Sequence, residues 1–248
     1  MVTEKKYNSA ILIIGNEILS GRTQDTNTST LALWLNSLGV LVKETRVVPD
    51  DKEIIVNSVN ELRKKNDYVF TTGGIGPTHD DITAESISKA FDLKYCIHKE
   101  GFEILKSYYE PGEFNEGRQK MIWMPENAKL IMNPTSGAPG FYVENVFCLP
   151  GVPSILKSML GGLENIIVGG EPILTKTINL RTVESEIAKS LSSVQDNNKD
   201  VEIGSYPFFK AGKLGVSIVI RSTDKSKIDS CIFEILEFVN KKKIDVID

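Results

Sequence analysis

The sequence predicts an α/β protein whose mostly parallel sheet is followed by a small α+β unit, and two observations support this prediction. Through the first half of the chain, short apolar segments alternate with amphipathic segments of helical period. Such alternation is typical of a parallel sheet with helices on both faces. After residue 168 the order changes to strand, helix, strand, strand and helix, which is typical of a separate α+β unit.

Each strand–helix pair of the first half carries residues that mark its ends. The predicted order is strand 10–15, helix 25–39, strand 40–48, helix 51–65, strand 67–72 and helix 80–91. Asp25 or Thr26 is the predicted cap of the first helix, because a short polar side chain accepts hydrogen bonds from the free N–H groups of a first turn. Asp50 or Asp51 is the predicted cap of the second helix for the same reason.

The rest of the chain is assigned from the same signals. Residues 99–110 and 118–125 are predicted as helices, two or three strands follow within 128–149, and another helix begins at Pro153. The second unit is predicted as strand 173–180, helix 184–192, strands 201–206 and 215–221, and helix 225–242. A glycine-containing junction at 161–172 separates the units, so the predicted domains are 1–168 and 169–248.

Composition excludes several classes of protein. The 248 residues carry a net charge of −4, and the one basic run, 241–243, ends a predicted helix. A nucleic-acid partner is therefore not expected, because such proteins carry a basic surface. No apolar run approaches the length of a membrane span, and the three cysteines are far apart and without metal-site spacing. We expect a cytoplasmic protein with a small-molecule ligand and no membrane partner.

The loops after the predicted strands carry the chemically interesting residues. In open α/β sheets, ligands bind beyond the carboxyl ends of the strands. The segments at this edge are GNEILSG (15–21), PDD (49–51), TTGGIGPTHDD (71–81) and LPGVPS (149–154). Their convergence predicts a single binding site there.

The loop 72–83 is the strongest of these features. Gly73, Gly74 and Gly76 permit a backbone nest that holds an anion, and a helix begins just after them. Asp80 and Asp81 follow, and their charge would repel a phosphate. Either they cap the helix, or a divalent cation lies between carboxylate and phosphate.

Other candidates are weaker. Asp50 or Asp51 is a candidate for a further carboxylate, and Glu17 is either another or an exposed loop residue. Arg118 is the best isolated cation for a phosphate. The turn PTSGAPG (134–140), with Ser136 at its centre, is either a second loop that admits a ligand or a tight turn.

These motifs resemble those of known families. The segment TTGGIGPTHDDIT is similar to the signature of the molybdopterin-binding family, in which TTGG-x-G-P is followed by Asp and Thr. Nearly the whole chain resembles the CinA family (competence/damage-inducible protein A), in GNEILSGRTQDTN (15–27), GRQKMIWMPENAKLIMNPTSGAPGF (117–141) and LPGVPS. The segment VEIGSYPFF (201–209) resembles the second domain of CinA and the molybdopterin-binding-like domain of eukaryotic FAD synthase.

The resemblance implies a three-layer α/β/α domain with a mixed sheet, a small KH-like α+β domain, and a homodimer, with a trimer as the alternative. It implies hydrolysis of an ADP-linked diphosphate such as FAD or ADP-ribose to AMP and the other monophosphate, with a divalent metal (Mg²⁺ or Co²⁺) and K⁺. One alternative is binding or adenylylation of molybdopterin. The other is nucleotide binding without turnover.

The resemblance also assigns residues. The functional aspartates of these families fall on Asp50 and Asp81, which are the expected metal ligands, and Asp80 is a third catalytic candidate beside them. The expected ligand-binding positions are Gly15, Glu17, Asn27, Thr72, Gly73, Gly74, Gly76, Pro77, Thr78, Arg118, Ser136, Gly137, Pro150, Gly151 and Pro153.

Overall fold

The computed structural model describes residues 6–210 and 212–247, and the chain divides into two compact units. The first unit extends to Gly170 and the second begins at Glu171. The boundary expected from the sequence, between residues 168 and 169, lies just before this division.

The first unit contains eight strands and seven α-helices among the described residues. The strands are β1 (Tyr7–Ile14), β2 (Val40–Val48), β3 (Tyr68–Thr72), β4 (Tyr95–Ile97), β5 (Trp123–Pro125), β6 (Lys129–Ile131), β7 (Gly140–Val143) and β8 (Val146–Leu149). The helices are α1 (Asn16–Leu19), α2 (Asn27–Ser37), α3 (Lys52–Lys65), α4 (Thr83–Ala90), α5 (Lys99–Tyr108), α6 (Glu116–Lys120) and α7 (Pro153–Met159), and a 3-10 turn covers Leu160–Leu163.

The main sheet of the first unit is mixed, with the order β2-β1-β3-β8-β7-β6. The first four strands in this order are parallel, and β7 and β6 extend the sheet antiparallel. The predicted mostly parallel sheet is therefore confirmed. The antiparallel part consists of short strands joined by turns, as the glycine and proline content of 128–149 indicates.

Helices cover both faces of this sheet, which makes the unit three-layered. Ala10, Leu12 and Ile14 of β1 pack in one core with α3 and α4, whereas Ile11 and Ile13 pack in the other with α2 and α7. Successive side chains of a strand point to opposite faces. A strand whose residues are all apolar is thus buried on both sides, which is why AILII reads as a central strand.

One predicted helix of the first unit is wrong. Residues 118–125 are not helical throughout, because α6 ends at Lys120 and Trp123–Pro125 forms β5. The N–H of Met121 donates to the carbonyl of Arg118 at 3.2 Å, which tightens the last turn. Trp123 then pairs with Ile97 of β4 in a two-stranded antiparallel ladder, so a pairing partner distant in sequence overrides the local helical pattern.

The second unit is an antiparallel sheet with two helices. Its elements are β9 (Leu174–Leu180), α8 (Glu184–Asn197), β10 (Glu202–Lys210), β11 (Lys213–Ser222), α9 (Lys225–Lys241) and β12 (Val246–Ile247). The sheet order is β10-β11-β9-β12, and the apolar residues of α8 and α9 share one core with the strands. The five predicted elements are present in the predicted order, but β12 follows them unpredicted, and β10 continues past Tyr206 through Pro207. Proline is tolerated there because β10 is an edge strand.

Among the described residues, no helix combines the length and apolar character that crossing a membrane requires.

Candidate functional site

The loops predicted to converge do meet at one edge of the main sheet. The carboxyl ends of β2, β1, β3 and β8 are level, since Ile14 pairs with Val48 and Thr72 pairs with both Ile13 and Leu149. The loops continue side by side: the N–H of Gly15 donates to the Val48 carbonyl, and the N–H of Gly73 donates to the Leu149 carbonyl, each at 3.1 Å.

Asp50 and Asp51 have different roles, which the sequence left open. Asp51 is the N-cap of α3, and its Oδ1 accepts a hydrogen bond from the N–H of Ile54 at 3.0 Å. Asp50 instead accepts from the N–H of Asn16 through Oδ2 at 2.8 Å. Asp50 is thereby tied to the loop after β1, and no described residue donates to its Oδ1.

The glycine turn after β3 is built so tightly that only glycine fits at two positions. Gly73 has φ +98°, and a Cβ there would lie 2.2 Å from the carbonyl oxygen of Ile14. Gly74 has φ +68°, and a Cβ there would lie 2.2 Å from Oγ1 of Thr83. The Thr83 hydroxyl donates to the Gly73 carbonyl at 2.9 Å, so the turn is held between β1 and the start of α4.

Neither Asp80 nor Asp81 caps α4, contrary to the expectation for one of them. The helix begins at Thr83 after Ile82, without a side-chain cap. Both aspartates instead turn back to Thr78, whose hydroxyl lies 2.6 Å from Asp80 Oδ1 and 2.5 Å from Asp81 Oδ2. The backbone N–H of Thr78 also donates to Asp81 Oδ2 at 2.7 Å.

The two aspartates differ in their surroundings. Asp81 is half-buried beneath Gly76, where a Cβ would lie 2.7 Å from its Oδ2. Asp80 is exposed, and the hydrogen bond from Thr78 holds its pKa below the ordinary value, helped by its own backbone N–H and by the charges of His79 and Lys120. The half-buried position and the proximity to the glycine turn favour Asp81 as the ligand-facing carboxylate.

Replacing Thr78 by valine is expected to raise the pKa of Asp80 towards its ordinary value, because the hydroxyl is the main cause of its depression. Thr78 is exposed, so the free energy of unfolding should change by less than about 0.5 kcal/mol. Carboxyl carbon NMR measured across a pH titration gives the pKa directly. Thr78→Ser, which keeps the hydroxyl, is the control, and an unchanged pKa in Thr78→Val would contradict the assignment.

Two clefts flank the glycine turn. The first cleft encloses about 360 Å³, partly open to solvent, and contains Thr72 and Gly73 of the turn. Its full lining is Ile13, Ile14, Glu17, Ile18, Thr23, Gln24, Asp25, Thr26, Asn27, Thr72, Gly73, Gly151 and Pro153. The second cleft spans about 260 Å³, a volume that includes space open to solvent, and is lined by Gly74, Ile75, Gly76, Asp81, Ala84, Tyr95, Lys120, Met121, Trp123, Pro139 and Phe141.

Asn27 joins two of the converging loops in the first cleft. Its side-chain amide donates to the carbonyl of Gly151 at 2.8 Å and to Oγ1 of Thr72 at 3.3 Å. Because a carbonyl only accepts, these bonds fix the orientation of the amide. Its Oδ1 is buried and has no partner among the described residues, and such a group is commonly satisfied by a water or a ligand.

Several predicted positions lie outside the two clefts. Arg118 contacts neither: its guanidinium binds Glu113 at 3.2 Å and lies 4.0 Å from the centre of the Tyr109 ring. The expectation that Arg118 holds a phosphate is therefore not supported by its placement. The others that line neither cleft are Gly15, Asp50, Pro77, Thr78, Asp80, Ser136, Gly137 and Pro150.

Ser136 and Gly137 have a structural explanation. Ser136 Oγ accepts from the side-chain amide of Asn133 at 2.7 Å. Gly137 has φ +75°, and a Cβ there would lie 2.6 Å from the ring of Tyr108. The tight-turn interpretation of PTSGAPG accounts for both residues.

The sequence analysis missed the cation and the aromatic pair of the second cleft. Lys120 Nζ donates to the carbonyl of Thr78, and the rings of Tyr95 and Trp123 lie 5.4 Å apart. The helix assigned to 118–125 concealed them. The burial of Ile122 and Met124 on either side of the outward Trp123 has the period of a strand, but all three residues are apolar, so the sequence alone carries no signal for it.

The fit of a divalent metal to this site depends on its carboxylates. Within the described ranges, no three or more His, Cys, Asp or Glu side chains cluster as a metal site. Mg²⁺ needs fewer, since one or two carboxylates commonly hold it with substrate phosphates and water. Asp50 and Asp81 are each held through Oδ2, and no described residue donates to either Oδ1.

Comparison with known proteins agrees with this architecture. Residues 10–175 match the family model of a probable molybdopterin binding domain, and residues 172–247 match the middle domain of FAD synthase. A protein from Archaeoglobus fulgidus is 36% identical over 233 residues, which cover 94% of this chain and 98% of that protein. A protein from Pyrococcus furiosus is 32% identical over 254 residues, which cover 95% and 96% of the two chains.

One solved structure extends the likeness to three dimensions. The crystal structure of the protein CinA, of unknown function, from Thermoplasma acidophilum superposes with a TM-score of 0.60 at 32% identity. The match covers 65% of this chain and 99% of that one. The chain belongs to the family of probable molybdopterin binding domains, in a CinA-like form that continues into a unit similar to the middle domain of FAD synthase.

Proposed function

We propose that the protein is a metal-dependent nucleotide pyrophosphatase that cleaves an ADP-linked diphosphate, such as FAD or ADP-ribose, to AMP and the other monophosphate. The observation that carries this proposal is a series of neighbouring groups that leads from Asp50 through the glycine turn to Asp81. Asp50 accepts a hydrogen bond from the N–H of Asn16. The carbonyl oxygen of Ile14, at the end of β1, lies against Gly73, and the carboxylate of Asp81 lies against Gly76.

In this arrangement the turn between the two carboxylates consists of the buried Gly73 and the half-buried residues 74–76. The turn offers N–H groups to phosphate oxygens, as glycine-rich nests do. Asp50 and Asp81 would hold a divalent metal, which when bound neutralises phosphate charge and lowers the pKa of a water molecule. Repulsion between the aspartates and a diphosphate is thereby removed.

The residues of the chain itself would orient the substrate. Lys120 contributes a positive charge at the second cleft beside Asp81, where a phosphate would be attracted. Glu17 lines the first cleft, and its carboxylate lies where a Cβ on Gly15 would be, within 2.6 Å. Glu17 is thus placed to accept a proton or a hydrogen bond from a bound water. Asp80, which is exposed, would add negative charge near the site and would affect turnover less than Asp50 or Asp81.

The comparisons support two choices of substrate. The match of residues 172–247 to the middle domain of FAD synthase favours a flavin nucleotide. The match of residues 10–175 to a probable molybdopterin binding domain favours the second candidate function, the binding or adenylylation of molybdopterin. Both would use the same strand-end loops, so a measurement of turnover is needed to choose.

A metal-by-substrate panel on the purified chain tests the proposal. FAD and ADP-ribose are each incubated with Mg²⁺ or Co²⁺, with and without K⁺, and AMP is quantified by chromatography. We expect AMP release with at least one pair, and its loss with EDTA. No AMP under any condition would overturn the proposal. Calorimetric binding of ADP-ribose without turnover would then favour a nucleotide-binding protein, and binding of molybdopterin alone would favour the second candidate.

A further inference from the structure

The second cleft contains an aromatic pair beside Asp81. Trp123 and Tyr95 lie with their ring centres 5.4 Å apart and their planes at 49°, and both line the cleft. Trp123 keeps 37% of its surface exposed. An exposed indole beside a polar turn is a surface on which a planar ring can stack.

The local structure explains why Trp123 faces outward. Ile122 is fully buried and Met124 is 1% exposed, so the side chains on either side of Trp123 are held in the interior. Because successive side chains of a strand alternate in direction, Trp123 is directed away from that core. The ladder between β4 and β5, in which Trp123 pairs with Ile97, keeps it there.

The neighbours of the pair match one end of a nucleotide. Asp81 and Lys120 line the same cleft, together with Gly74 and Gly76 of the glycine turn. The cleft thus combines an aromatic surface, a cation and turn backbone, which suits a ring joined to a phosphate.

We propose that the second cleft binds the planar heteroaromatic ring at one end of the ligand, with Trp123 as the residue on which the ring stacks and which sets specificity. This deepens the proposed function and rests on it, because the ring is taken to be linked to the diphosphate held by the glycine turn. An isoalloxazine and an adenine share this chemistry, and the experiment separates them.

The test measures binding independently of turnover. The chain has two tryptophans, so Trp34→Phe leaves Trp123 as the sole tryptophan, and quenching of its fluorescence, excited selectively over tyrosine, by FMN or AMP in Mg²⁺ reports stacking. Calorimetry then compares Trp123→Ala and Trp123→Phe with the wild type. We expect an approximately tenfold weaker affinity for the stacked ligand in Trp123→Ala, and an affinity within about threefold of wild type in Trp123→Phe, which keeps a ring.

The ligand that responds identifies the ring. If Trp123→Ala weakens the binding of FMN alone, the isoalloxazine occupies the second cleft. If it weakens the binding of AMP alone, the adenine occupies it. Phe233→Ala, at an aromatic residue of α9 that is 66% exposed, is the control and should change neither affinity. Thermal unfolding followed by circular dichroism checks that each variant is folded.

Two results would overturn the inference: no quenching by either ligand, or unchanged affinities in a folded Trp123→Ala. These results are distinct from failure of the proposed function. If no AMP is released but Trp123→Ala still weakens binding, the pyrophosphatase proposal fails and the ring site stands. If AMP is released equally by wild type and Trp123→Ala with equal KM and equal affinities, the ring site fails and the pyrophosphatase stands.

Discussion

Asp50→Asn and Asp81→Asn are each expected to lower kcat/KM for AMP release by at least about 100-fold, the effect of removing one preorganised electrostatic group. Asparagine keeps the shape of the side chain and one oxygen that accepts the hydrogen bond from Asn16 or Thr78. It removes the negative charge on which a hard divalent cation depends. Turnover should therefore fall while the fold is retained.

Neighbouring aspartates supply the matched controls. Asp51→Asn keeps the cap of α3, since asparagine caps as well as aspartate, and should leave both stability and AMP release unchanged. Asp80→Asn, at an exposed side chain, should lower kcat/KM by less than about tenfold. Equal losses in Asp50→Asn and Asp51→Asn, or an unchanged metal requirement in Asp81→Asn, would contradict the assigned roles.

Gly73→Ala is expected to destabilise the first unit by about 3 kcal/mol or more, the upper range for a strained backbone combined with a steric clash. The added methyl would lie 2.2 Å from the carbonyl oxygen of Ile14. That oxygen belongs to the backbone of a central strand, so the sheet edge and the turn cannot both keep their positions. Urea unfolding monitored by circular dichroism measures the change.

Gly112→Ala is the control for the backbone conformation. Gly112 has φ +90°, close to that of Gly73, but nothing lies within 4 Å of its missing Cβ. Substitution of Gly112 by alanine should lower the free energy of unfolding by only about 1–2 kcal/mol, the penalty of a left-handed conformation for an L-residue. If Gly73→Ala and Gly112→Ala lower the free energy of unfolding equally, the close approach of β1 to the turn is not the reason that position 73 requires glycine.

The elements that the sequence predicted correctly are those with local signals. The strand at AILII and the helix after Asp51 each follow from a regular period and a marked end. The helix predicted over 118–125 fails because β5 depends on β4, which lies more than twenty residues earlier in the sequence. The predicted capping of α4 by one of the two aspartates is wrong for a local reason, since the Thr78 hydroxyl, two and three residues away, engages both of them.

The features of the candidate site also divide into those that the sequence predicted and those that it did not. The convergence of the strand-end loops could be predicted, because parallel strands carry their carboxyl ends to one edge of a sheet. Arg118 could not be judged from the sequence, since its pairing with Glu113 and Tyr109 depends on how the chain folds back. The second cleft was also hidden, because Lys120 and Thr78 meet across 42 residues of chain.

Periodicity, caps and glycine positions were thus sufficient to predict the α/β order, the meeting of the strand-end loops at one sheet edge and the family resemblance, since each depends on residues close together in the chain. Three features could be assigned only from the folded molecule. They are the different roles of Asp50 and Asp51, the absence of a capping role for Asp81, and the aromatic pair of the second cleft. The first and the third depend on contacts between distant segments, and the second depends on hydrogen bonds to Thr78 within the same loop. Such contacts select one of several hydrogen bonds that each side chain is chemically able to make.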